Sequence, residues 1–150
     1  MSKLVFEKRE GKYDAMFVER DGRLQEIACP KQPPIPHDMF HYAVEQVLQV
    51  RGFARRAAEG DTIGFVMTPD AESESVERLV ETMQADSWSG RPPPGEVIDL
   101  FRSTCEARGS VPIALDEVAI VAIRDEIDRL AAQWAALPVR GRMTLEVDHA

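Results

Sequence analysis

Two of the three histidines in this chain, His37 and His41, stand four residues apart. Asp38 directly follows the first, and Glu45 comes four residues after the second. In an α-helix, at about 100° per residue, positions 37, 41 and 45 fall at about 0°, 40° and 80° around the axis, one line along one face. Imidazole nitrogens and a carboxylate oxygen in such a line are the donor types that bind a divalent transition metal such as zinc. The spacing therefore predicts a metal or small-ligand site with His37, His41 and Glu45 as ligands. Glu45 or Asp38 could instead accept a hydrogen bond from an imidazole and fix its tautomer. Glu77, Glu81 or Asp99, acids of other helices, could complete the coordination sphere. Lys31 and Tyr42 flank the histidines and could orient an anionic ligand, with an ordinary extended Lys and boundary Tyr as the equal alternative. The positive end of the helix dipole disfavours imidazolium, so both rings are expected to be neutral near pH 7, the form that ligates metal.

The same residues have an ordinary structural use. His37 can open a helix, Asp38 can complement the dipole in the first turn, and His41 can hydrogen-bond to a nearby strand or to the proline segment. On that reading the protein is a non-catalytic interaction module or a homo-oligomer, and the histidines are structural. His-Asp-x-x-His also resembles the His-Glu-x-x-His motif of the zincin metalloproteases, which implies zinc on His37 and His41 and metal-dependent hydrolysis. The resemblance covers five residues. Its acid is Asp38, one methylene shorter than Glu, and no further histidine follows at the metzincin spacing. The longer stretch Cys29-Pro30-Lys31-Gln32, followed by Pro36-His37-Asp38-x-x-His41-Tyr42-x-Val44-Glu45, resembles a signature of small bacterial proteins of unknown function. That resemblance adds weight to the site and names no reaction.

The elements that must position these residues follow from periodicity. Lys3–Lys8 and Tyr13–Arg20 alternate as half-buried strands, and Asp21-Gly22 supplies the positive-φ pair of a type I′ hairpin before a third strand over Arg23–Ala28. Pro30, Pro33, Pro34 and Pro36 lack the N–H that a ladder needs, so the sheet is expected to end at Cys29 and the chain to cross to a helix layer. From His37 the period becomes helical: Met39, Phe40, Ala43, Val44, Val47 and Leu48 form an apolar stripe, with the histidines on its border. Gly52 is expected to break or kink this helix before a short continuation over Phe53–Glu59. Thr68-Pro69-Asp70 predicts a helix start with Thr68 as cap. Val76, Leu79, Val80 and Met83 then form its core stripe. Glu96–Arg108 and Leu115–Ala136 read as two more helices, the last with Val118, Ile120 and Val121 in a broad buried face. Met143, Leu145 and Val147 form a final strand that most economically joins the N-terminal meander. The fold class is α+β, a single domain over 1–150: a mostly antiparallel sheet packed against four or five helices.

Charge narrows the partners. The net charge of −8 is uneven, +1 over residues 1–60 and −9 over residues 61–150. An acidic helical half opposes a nucleic-acid footprint and an anionic membrane surface. With no long apolar run and no export signal, the expected compartment is the cytoplasm, with Cys29 and Cys105 as free thiols. Arg51, Arg55 and Arg56 are expected to form a solvated basic patch, with binding of a phosphate or an acidic partner as the alternative. Trp88 is expected to pack over the Ser-Gly-Arg-Pro-Pro-Pro loop, with stacking on a ligand or partner as the alternative.

Overall fold

The computed structural model describes residues 2–20, 22–58 and 70–147. Strands β1 (Ser2–Glu7), β2 (Tyr13–Arg20) and β3 (Arg23–Pro30) form the antiparallel meander. Strand β4 (Arg142–Val147) closes on the free side of β1, giving the order β3-β2-β1-β4. Leu4 pairs with both Val18 and Leu145, so side chains of one parity from adjacent strands meet on one face. Leu4, Phe6, Met16, Val18, Cys29, Leu145 and Val147 are buried there against the helices. Residues 20 and 23 pair, leaving a two-residue connection in which Gly22 has φ 74°. Asp21 lies outside the described residues.

β3 continues to Pro30, beyond the expected end at Cys29, with Pro30 opposite Tyr13. β3 is an edge strand, so a residue without an N–H leaves no ladder donor missing on its outer side.

Among the described residues five helices follow: α1 (His37–Leu48), α2 (Phe53–Ala58), α3 (Ala71–Trp88), α4 (Pro94–Arg108) and α5 (Glu117–Ala135). Pro36 stands at the N-cap of α1, and Gln49, left-handed at φ 54°, ends the helix before Gly52 is reached. The cap of α3 is Asp70, whose side chain accepts from Ser73 N at 2.7 Å, while Ser73 Oγ accepts from Asp70 N at 2.9 Å. This reciprocal pair satisfies two backbone donors and takes the place of the expected Thr68 cap. Thr68 itself lies outside the described residues.

α1 is the central helix. Its apolar stripe, including Met39, Phe40, Ala43 and Val44, is fully buried, at about 1.5–3 kcal/mol for each large side chain. Its opposite face is covered as well, because α2 and α3 pack across it, while α5 packs along the remaining side. Asp38, His41 and Glu45 are therefore buried too. α5 is less enclosed than its sequence predicts. It buries Ile120, Ile123, Ile127, Leu130 and Trp134, whereas Val118 and Val121 are 78% and 47% exposed. Arg55 and Arg56 also depart from expectation. Both are buried, Arg55 Nη2 donating to Gln49 Oε1 at 2.7 Å and Arg56 Nη1 to Ser73 Oγ at 3.3 Å. Among the described residues, no helix is long and apolar enough to cross a membrane.

Candidate metal site

α1 and α3 lie side by side, and each contributes one polar line to the seam between them. From α1 come His37, His41 and Glu45, in the line their spacing predicts. From α3 comes Glu77, next to the buried Val76 of its core stripe. His41 Nε2 lies 2.9 Å from Glu77 Oε2, and His37 Nε2 lies 3.8 Å from Glu77 Oε1. The two imidazoles meet edge to face with centroids 5.1 Å apart, and Phe53 of α2 packs on His41 at 5.7 Å. One donor atom from each of His37, His41 and Glu77 lies within 4.8 Å of the other two.

The outward-facing nitrogens decide what each ring can do. His37 Nδ1 is 3.0 Å from Gln32 Oε1 and 2.8 Å from Gln84 Nε2, and Gln84 Nε2 also donates to Gln32 Oε1. His41 Nδ1 is 3.3 Å from Glu45 Oε2, an ion-pair distance, but the approach lacks hydrogen-bond geometry, and among the described residues the atom has no hydrogen-bond partner. The contact is therefore electrostatic.

Glu45 faces away from Glu77. Its Oε1 accepts from Gly52 N at 3.0 Å and from Arg55 N at 2.8 Å, and its Oε2 accepts from Ala54 N at 3.0 Å. The carboxylate thus holds the amino-terminal turn of α2, where backbone donors have no intrahelical partner. Gly52 is the residue that permits this approach. A Cβ there would stand 2.7 Å from Val76 Cγ1 and 2.8 Å from Glu45 Cδ.

The electrostatics divide the two histidines. Burial pushes the His37 pKa down, and the neighbouring His41 charge adds to that. Neutral imidazole is the expected form there. For His41 burial also opposes the charge, but contacts with Glu45 and Glu77 outweigh it and carry the pKa up to about 10. The expectation of a neutral ring thus reverses at His41, because two carboxylates flank one enclosed imidazole. Burial raises the Glu77 pKa, but the His41 hydrogen bond and charge overcome it and hold the group below its ordinary value.

The remaining residues of the motif are engaged elsewhere. Asp38 Oδ2 accepts from the Cys29 thiol at 2.6 Å, and burial followed by the Asp38 charge pushes that thiol far up, which leaves it inert. Lys31 Nζ donates to Arg9 O and lies 3.7 Å from Asp14 Oδ1, over the sheet rather than beside the histidines. Tyr42 donates to Glu146 O at 3.0 Å, tying α1 to β4. Trp88 is exposed and donates to Pro33 O at 2.6 Å. Of the three acids considered for completing the sphere, Glu77 is the one in the cluster. Gln32 and Gln84 were not legible as partners of His37. The one available signal was that residues 77 and 84 lie seven apart, on the same side of α3.

Comparison of the chain with protein-family models, with curated proteins and with solved structures finds no match.

Proposed function

We propose that this protein binds a divalent transition metal, zinc foremost, through His37 Nε2, His41 Nε2 and a Glu77 oxygen, with Glu45 as the carboxylate behind His41. The convergence of two imidazoles and a carboxylate from α1 and α3 carries this reading. Zinc–nitrogen bonds of about 2.0–2.1 Å place tetrahedral donors about 3.3 Å apart. The contacts of Glu77 with His41 and His37, 2.9 and 3.8 Å, straddle that separation. Ligating histidines usually present their other nitrogen to a carboxylate or carbonyl oxygen, which orients the ring and raises its basicity. Here Gln32 Oε1 lies 3.0 Å from His37 Nδ1, with Gln84 Nε2 at 2.8 Å from the same atom, and Glu45 Oε2 stands 3.3 Å from His41 Nδ1 as a neighbouring charge. Metal binding would displace the proton that His41 carries in the metal-free state.

Elemental analysis of the purified untagged chain tests this. About one equivalent of zinc is expected, retained by the wild type and lost from a folded His37→Ala/His41→Ala variant and from Glu77→Gln. A wild type that is empty and takes up no added zinc at micromolar concentration would remove the metal reading.

One observation favours a second reading. His41 Nε2 lies 2.9 Å from Glu77 Oε2 and its Nδ1 3.3 Å from Glu45 Oε2, so protonated His41 makes a carboxylate–imidazolium–carboxylate triad around a buried ring. In that case the cluster clamps α1, α2 and α3 together, and the protein acts through its surface, as an interaction module. Unchanged circular dichroism and denaturation midpoint on zinc addition, with a large loss of stability in His41→Ala, would support it.

A further inference from the structure

Resting on the metal reading above, we infer that the ion keeps one coordination position open toward solvent and takes there an exogenous oxygen-donor anion, a small carboxylate or its hydroxamate analogue. Zinc held by three protein groups completes its sphere with water or a ligand, and three donors are what the described residues bring together. The nearby acids are engaged. Glu45 accepts from three amides of the 52–55 turn. Asp38 accepts from the Cys29 thiol, and Glu81 pairs with Arg78 at 3.1 Å and with Arg108 at 3.9 Å.

Burial gives the direction of the open position. The side chain of His41 is 2% exposed, that of His37 22% and that of Glu77 35%, so one side of the triangle is sealed and the other meets water. Phe53 closes the sealed side.

Charge gives the ligand class. A divalent ion on two neutral imidazoles and one carboxylate keeps one positive charge. The Glu45 carboxylate lies behind His41, outside the ion's own sphere and held by three backbone N–H groups, and Glu81 pairs with two arginines, so the sphere itself stays one positive. A negatively charged oxygen ligand is then favoured over a third neutral one.

Cobalt(II) substitution in the full chain reads both levels separately. The chain is stripped with chelator, loaded with Co²⁺ and followed by its visible absorption while acetohydroxamate is added. Saturable one-to-one displacement of the bands is expected, and the same response is expected in Glu81→Gln. Glu77→Gln is expected to weaken Co²⁺ binding by about 10–100-fold or more. A cobalt-loaded protein whose bands ignore acetohydroxamate has a closed sphere, which overturns this inference and leaves the metal reading standing. A response that appears only in Glu81→Gln would identify Glu81 as the closing ligand, with the same consequence. Failure to bind Co²⁺ or Zn²⁺ overturns both.

Discussion

Replacing Glu45 by Gln keeps the shape of a buried side chain and removes its charge. The carboxylate accepts three backbone N–H bonds of 2.8–3.0 Å, two on Oε1 and one on Oε2, and it lies 3.3 Å from His41 Nδ1. A glutamine oxygen can keep the two bonds from Gly52 and Arg55, but its NH₂ then faces the N–H of Ala54, donor against donor. Hydrogen bonds to a charged group contribute about 1.5–3 kcal/mol each, and a stranded buried donor costs about 1–3 kcal/mol. Because such terms overlap, the expected loss is about 2–4 kcal/mol, a large share of the roughly 5–15 kcal/mol that holds a domain folded. At about 2–4 °C per kcal/mol for this size, the thermal midpoint should drop by about 4–16 °C. Urea titration of the metal-free variant, with an unchanged m-value, is the assay. A loss below about 0.5 kcal/mol, the range of an ordinary surface substitution, would refute the assignment of Glu45 to the start of α2.

Other consequences are equally direct. The His41 pKa rises on folding from 6.5 to about 10, so the stability its charge supplies is full below pH 6.5 and is lost as pH climbs through the folded value. The unfolding free energy of the metal-free protein should therefore fall between pH 7 and 10, and on the proposed metal reading saturating zinc would hold the ring neutral and flatten that decline. A metal-free protein that grows more stable over the same range would contradict the triad. Gly52→Ala drives a methyl into Val76 and Glu45 and should cost about 1–3 kcal/mol by overpacking, measured by chemical denaturation; a neutral outcome would mean the 52–55 turn is not seated as described. Asp86, buried on α3, holds Arg124 of α5 through bonds of 2.7 and 3.0 Å. Asp86→Ala removes the carboxylate while Pro92 O still accepts from the guanidinium, and should cost about 3 kcal/mol, the low end for a broken buried pair, whereas a loss under about 1 kcal/mol would place that pair in the class of solvated ion pairs.

The strands and the helix pattern were legible because each depends on neighbours a few residues apart. Alternation marked β1 and β2, Asp21-Gly22 marked the hairpin, and the 3.6-residue period marked α1 and α3. The site was half legible for the same reason: helical geometry alone puts residues 37, 41 and 45 in one line. What periodicity encodes is which face of a helix is apolar. It carries no information about what covers the polar face. In α1 that face is roofed by α2 and α3 rather than left in water, which buries His41 and reverses its expected charge. The same packing gives the Glu45 carboxylate to the start of α2, through a close approach that only Gly52 allows, and brings Glu77 from a distant helix onto both imidazoles. A similar limit explains Val118 and Val121, whose residue types suit a core but whose side of α5 stays exposed. The sequence by itself determined the elements and the donor types. The partners were decided by tertiary packing, because contacts between residues remote in the chain are set by which faces meet.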